Sequence, residues 1–202
     1  MDEFLALIYL FFVRPQAALA KVKQGTPWWW SVAVFAGVYL LGQGLDLATG
    51  PDWPEAALPR FLTDPGVLGR VQLFLGLPAA FALWFLTAAV WHLLAQLLGG
   101  RGGGRAFFLG LGFTQLPLLA GQTAGGVCRL LGWGAGWTVF LLAASGWVLL
   151  LQYFAVREVH GLSVGRALGV MVLPFIFVAC FAFLSLVLLA SFIPVEMLPR
   201  FP

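Results

Sequence analysis

Residues 101–126 read RGGGRAFFLGLGFTQLPLLAGQTAGG: a glycine loop between two arginines, then an apolar segment interrupted by Thr114-Gln115-Leu116-Pro117. The apolar part has the composition of a membrane-buried helix, yet it carries Thr114, Gln115, Gln122 and Thr123 where a lipid-facing helix carries leucine. Pro117 has no N–H to give, so the carbonyl of Phe113 is expected to lose its helical partner. In hydrocarbon a freed carbonyl needs another donor from protein or trapped water. This segment is therefore expected inside a bundle, with other spans around it.

Composition points the same way. Of 202 residues, 61% are hydrophobic and 9% charged, with a mean hydropathy of +0.97. A soluble domain is about a quarter charged, so these charges are too few to cover a water-facing surface. The expected class is an all-α integral membrane protein forming one compact unit. The net charge of +3 does not indicate nucleic acid, because the basic residues are scattered rather than gathered on one solvated face. Cys128 and Cys180 fall at different expected depths and read as two thiols rather than a disulfide.

Working outward, five spans are expected at about 28–48, 71–98, 106–128, 133–155 and 167–192. Trp28, Trp29 and Trp30 open the first span as headgroup-level anchors, and Gln43 and Asp46 lie near its far end. The second span is long for a hydrocarbon core of ~30 Å and calls for tilt. Pro78, Pro117 and Pro174 are the expected helix kinks. Residues 1–27 form a separate N-terminal element, followed by a five-span domain over 28–202. In residues 3–23, Phe4, Leu7, Ile8, Phe11 and Phe12 recur at helical spacing ahead of Arg14, Lys21 and Lys23, with Pro15 bending or restarting the helix. That pattern suits an amphipathic helix in the cytoplasmic interface; packing against the bundle is the other reading. It does not suit a signal peptide, because Asp2 and Glu3 precede the apolar run. Residues 49–69 read as an acidic, proline-rich loop with a short helix near 54–62 and no metal-ligand spacing.

With the N-terminus cytoplasmic, Arg14, Lys21, Lys23, Arg101, Arg105, Arg157 and Arg166 lie inside, and Arg60, Arg70, Arg129 and Arg200 outside. Seven against four favours this orientation, in a cell (inner) membrane with the C-terminus outside.

Four features are candidates for function. His92, Gln96, Thr114, Gln115, Gln122 and Gln152 form a set of polar residues in or near the spans. They either line a path or hold helices together by hydrogen bonds. The small-residue pairs Ala33/Gly37, Gly121/Gly125, Gly132/Gly136 and Gly165/Gly169 allow close helix approach. Arg14, Lys21, Lys23, Arg101 and Arg105 are candidate headgroup contacts, and the glycine loop could cradle a lipid phosphate or simply connect two helices. That loop lacks the lysine and hydroxyl ending of a nucleotide loop. Glu158-x-His160 resembles a fragment of a metal or acid-base site, but the only other histidine is His92, far off in sequence, and a cytoplasmic turn is the expected reading. No nucleophile elbow, zinc pattern or pair of intramembrane carboxylates occurs, so neither an enzyme, a metal nor a cofactor is expected.

Three stretches resemble the YIP domain family, the Ypt/Rab-interacting proteins, in its short prokaryotic form. They are FFVRPQAA at 11–18 before the tryptophan-marked first span, the glycine loop entering Phe107 to Leu119, and REVHGLSVGRAL at 157–168 before the last span. The resemblance implies five spans with a cytosolic N-terminus and a C-terminus on the far side. Similar eukaryotic proteins bind prenylated Rab GTPases and help shape or sort membranes, a role that leans on a longer cytosolic N-terminal region. About 27 residues precede the first span here, and no GTPase-contact residue is carried over. The expected function is a non-enzymatic protein organising membrane or partner proteins, with lipids and a homo-oligomer or membrane-protein partner. The alternative is a small transporter, channel or lipid-moving protein.

Overall fold

A computed structural model describes residues 2–49 and 70–191. Among them every element is helical: α1 (Asp2–Val13), α2 (Pro15–Lys23), α3 (Trp28–Thr49), α4 (Leu77–Leu97), α5 (Gly104–Phe113), α6 (Leu116–Leu130), α7 (Gly134–His160) and α8 (Val164–Ser191). The expected short helix near 54–62, the acidic loop around it and the C-terminal tail lie outside the described residues. Among the described residues, four helical stretches are long and apolar enough to cross a membrane: Trp28–Thr49, Phe74–Leu97, Gly134–His160 and Val164–Leu189.

The stretch expected as one span over 106–128 is two helices, and the reason is local. Pro117 cannot donate to Phe113, so the chain tightens before it. Gln115 N–H donates to the Gly112 carbonyl (3.2 Å) and Leu118 N–H to the Gln115 carbonyl (3.0 Å), three residues back instead of four. The fully buried Thr114 hydroxyl donates to the Leu111 carbonyl at 2.6 Å. Pro78 acts differently: it stands in the first turn of α4, where a missing N–H is tolerated, directly after a π-helical turn over Gln72–Gly76. The helix runs through Pro174 without a break.

The N-terminal segment is also two helices. Arg14 leaves the helical region (φ −142°, ψ 71°), as a residue before proline tends to, and α2 restarts at Pro15. Leu7, Phe11, Leu19 and Val22 are buried in the common core. Phe4 packs edge-on to Trp30 at the start of α3, with centroids 5.1 Å apart. Phe11 stacks on Phe113 at the end of α5, with centroids 5.2 Å apart. Arg14 and Pro15 lie near Trp147 and Leu150 of α7, and Lys23 Nζ donates to the Glu158 carbonyl near that helix's end (3.1 Å). So α1 and α2 form a hairpin whose turn reaches ~12 Å along α7 from Glu158, at 1.5 Å per residue. Helix α1 is not amphipathic as expected, because Leu5, Tyr9, Phe12 and Val13 are apolar and exposed on its outer side.

The core continues through a ring ladder in which Trp84 stacks between Phe35 (4.6 Å) and Phe108 (4.2 Å), tying α3, α4 and α5 together. Glycine brings α6 and α7 closest: a methyl group on Gly121 would overlap that of Ala144, and one on Gly125 would sit 2.9 Å from the Trp137 ring. Of the four small-residue pairs, Gly121/Gly125 makes such a contact with both members; Gly37, Gly132 and Gly165 have open space around them. Helix α8 packs on α4 and α7 through Ala167 and Val170, and beyond Val172 its described side chains are exposed apart from half-buried Pro174.

The gap expected between the spans over 133–155 and 167–192 is shorter than that. Helix α7 continues to His160 and ends at Gly161, whose left-handed conformation (φ +67°) suits glycine, and α8 starts at Val164.

Candidate functional site

Two places collect polar side chains, one at each end of α5 and α6. At the glycine-loop end the two histidines meet, although 68 residues separate them: His92 Nδ1 lies 2.9 Å from His160 Nε2. The ring of His160 is buried, and its Nδ1 lies 3.2 Å from the Val156 carbonyl. A carbonyl only accepts, so His160 carries its proton on Nδ1 and presents Nε2 as an acceptor. His92 must then donate through Nδ1, which leaves His92 Nε2 with a free lone pair. That nitrogen sits beside Gly104, 3.1 Å from where a methyl group would be.

This pair staples α4 to α7, and the glycine loop closes over it. Arg101 N–H donates to the His160 carbonyl (3.1 Å) and Arg166 Nη1 to the Leu98 carbonyl (3.3 Å). A side chain on Gly102 would overlap the Val159 carbonyl, so the loop is held by close backbone approach and is not a slack connection. Lys21 is half-buried on α2, while Arg14, Lys23, Arg101 and Arg105 are exposed. The partner of His160 was not legible in the sequence, since nothing local indicates which distant helix turns a histidine toward it.

At the opposite end a cavity of about 370 Å³ opens between α3, α6 and α7. Its polar lining is Tyr39, Gln43, Asp46, Gln115 and Gln122, with Trp137 beside them. Asp46 accepts from Arg129 Nη1 at 3.3 Å, and that guanidinium lies 5.3 Å from the Trp137 ring centre. The Gln122 side-chain oxygen is buried without a hydrogen-bond partner, an arrangement that costs free energy in a low-dielectric setting. The structure thus gathers Gln115 and Gln122 from the six expected path residues and adds Gln43 and Asp46. It does not bring the other four there: His92 is paired with His160, Thr114 bonds its own helix, Gln96 is exposed, and Gln152 is half-buried on α7 away from the lining. Among the described residues no group of three or more histidine, cysteine or acidic side chains is placed to hold a metal, and both cysteines are free thiols.

Neither the curated proteins nor the solved structures include a match to this chain. A profile of the Yip1 domain matches residues 8–189, from the middle of α1 to the end of α8. That match covers nearly the whole chain and takes in all four membrane-length helices of the described residues, so the chain belongs to the Yip1 domain family.

Proposed function

We propose that this protein is a non-enzymatic, five-span membrane protein that organises membrane or partner proteins. The observation that carries the reading is the family match over residues 8–189. The third of the five spans is α5 with α6, whose ten and fifteen residues rise ~37 Å at 1.5 Å per residue, enough for a ~30 Å core. Helices α1 and α2 sit as a hairpin in the cytoplasmic leaflet. Lys23, Arg101, Arg157 and Arg166 gather at that end of the bundle, in keeping with a cytoplasmic N-terminus and a C-terminus outside. Its partners are membrane lipids and a second copy or another membrane protein.

Native mass spectrometry of the protein released from native-lipid nanodiscs tests this. A retained protein partner or stable oligomer is expected; release of bare monomer without protein or lipid refutes it. The second reading, a lipid-moving or transport role, is favoured by the cavity that Gln115 and Gln122 share. It predicts flux or scrambling in liposomes that Gln115→Leu abolishes.

A further inference from the structure

A crevice of about 330 Å³ runs between α4 and α5, lined by Phe85, Ala88, Ala89 and Phe108, with His92 and Arg105 at its glycine-loop end. We infer that this crevice binds a lipid phosphomonoester, a diacyl lipid whose headgroup is a terminal phosphate. This rests on the crevice and the histidine pair and not on either functional reading above.

Three observations converge. First, the lining is apolar except at one end, which matches an acyl chain with a polar head, and its volume lies within the range of ordinary ligand sites. Second, the polar end holds a cation, Arg105, so the head should be anionic. Third, the hydrogen-bond chain Val156 carbonyl–His160–His92 leaves His92 Nε2 as an acceptor at the crevice.

That third point selects among anions. A terminal phosphate, with a second pKa of ≈ 6, can keep a proton on one oxygen, and that P–O–H can donate to the Nε2 lone pair. The remaining phosphate oxygens accept from Arg105. A phosphodiester head such as phosphatidylglycerol carries a single negative charge and no such proton, so it meets Arg105 but leaves His92 Nε2 unused. A charge-only site would favour the monoester only through its extra charge, a preference that replacing His92 would leave unchanged.

The test uses the full-length protein in nanodiscs containing equal parts phosphatidate, phosphatidylglycerol and phosphatidylcholine, read by native mass spectrometry. Phosphatidate should be retained about tenfold over phosphatidylglycerol, the size expected for one hydrogen bond to a charged group. His92→Asn keeps a donor where Nδ1 stood and removes Nε2; it should lower that ratio severalfold while thermal stability holds. Arg105→Gln should lower retention of both anions by about tenfold. Ala89→Phe fills the crevice from an exposed position without touching either polar group, and it should reduce phosphatidate retention. Equal retention of the two anions by the wild type, or an undiminished phosphatidate preference in stably folded His92→Asn, overturns the proposal. So does displacement of phosphatidate by millimolar inorganic phosphate, which would mean that the acyl chain is not held.

Discussion

Phe11 tests whether the N-terminal hairpin is part of the bundle or merely lies on it. Its side chain is fully buried, and its ring stacks on Phe113 with centroids 5.2 Å apart and planes 14° from parallel. Truncating a buried phenylalanine in a protein core costs ~3–5 kcal/mol. Part of that cost in a soluble protein is transfer from water, which a lipid-surrounded helix does not recover. We therefore expect ~2–3 kcal/mol for Phe11→Ala, roughly a 30- to 150-fold change in the unfolding equilibrium. Phe12, next in sequence, is 40% exposed, and Phe12→Ala should cost about 0.5 kcal/mol. Sodium dodecyl sulfate titration in mixed micelles, followed by tryptophan fluorescence, measures both. A double-mutant cycle with Phe113→Ala should return a coupling of ~0.5–1.5 kcal/mol, as for a stacked aromatic pair. Equal effects of Phe11→Ala and Phe12→Ala, together with zero coupling to Phe113, would show that α1 is not docked and refute the packed hairpin.

Further outcomes follow from other contacts. Gly121→Val forces a side chain into the Ala144 methyl and should destabilise by ~1–3 kcal/mol, whereas Gly146→Ala, on the open side of α7, should be neutral or stabilising in the same titration. His92→Leu leaves the buried His160 Nε2 without its donor and should cost ~1–3 kcal/mol; the double variant His92→Leu/His160→Leu should be more stable than that single variant, and a further loss would argue against the staple. In a Cys128→Ala/Cys180→Ala background, cysteines placed at Arg101 and Leu131 should react with impermeant maleimide from opposite sides. Labelling from the same side would mean that α5 and α6 do not cross together, and labelling of position 101 from outside would reverse the orientation.

The class of this protein is set by composition, because so few charges cannot solvate 202 residues, and no packing detail changes that. Helix boundaries were legible in part. Pro15 restarts a helix, one of its two expected effects, whereas Pro117, expected as a kink within one span, divides that span into two helices because a missing N–H acts on the nearest turn. The end of α7 was misplaced because charged residues read as loop; the helix runs on through Arg157 and Glu158 until Gly161 stops it. Gln115 and Gln122, two of the six expected polar-path residues, both reach the same cavity.

What the sequence could not supply is which faces turn toward each other. His92 and His160 lie on helices whose relative rotation is fixed by non-local packing: the Trp84 ring ladder, the glycine contacts of α6 with α7, and the loop closing over His160. The same packing sends Gln152 and Gln96 away from the cavity and brings Asp46 beside Arg129. Local chemistry determines where a helix starts, stops and bends, since those rules act over three or four residues. Tertiary structure alone decided which polar groups share a site, because that depends on the rotation and tilt of each helix against neighbours far away in the chain.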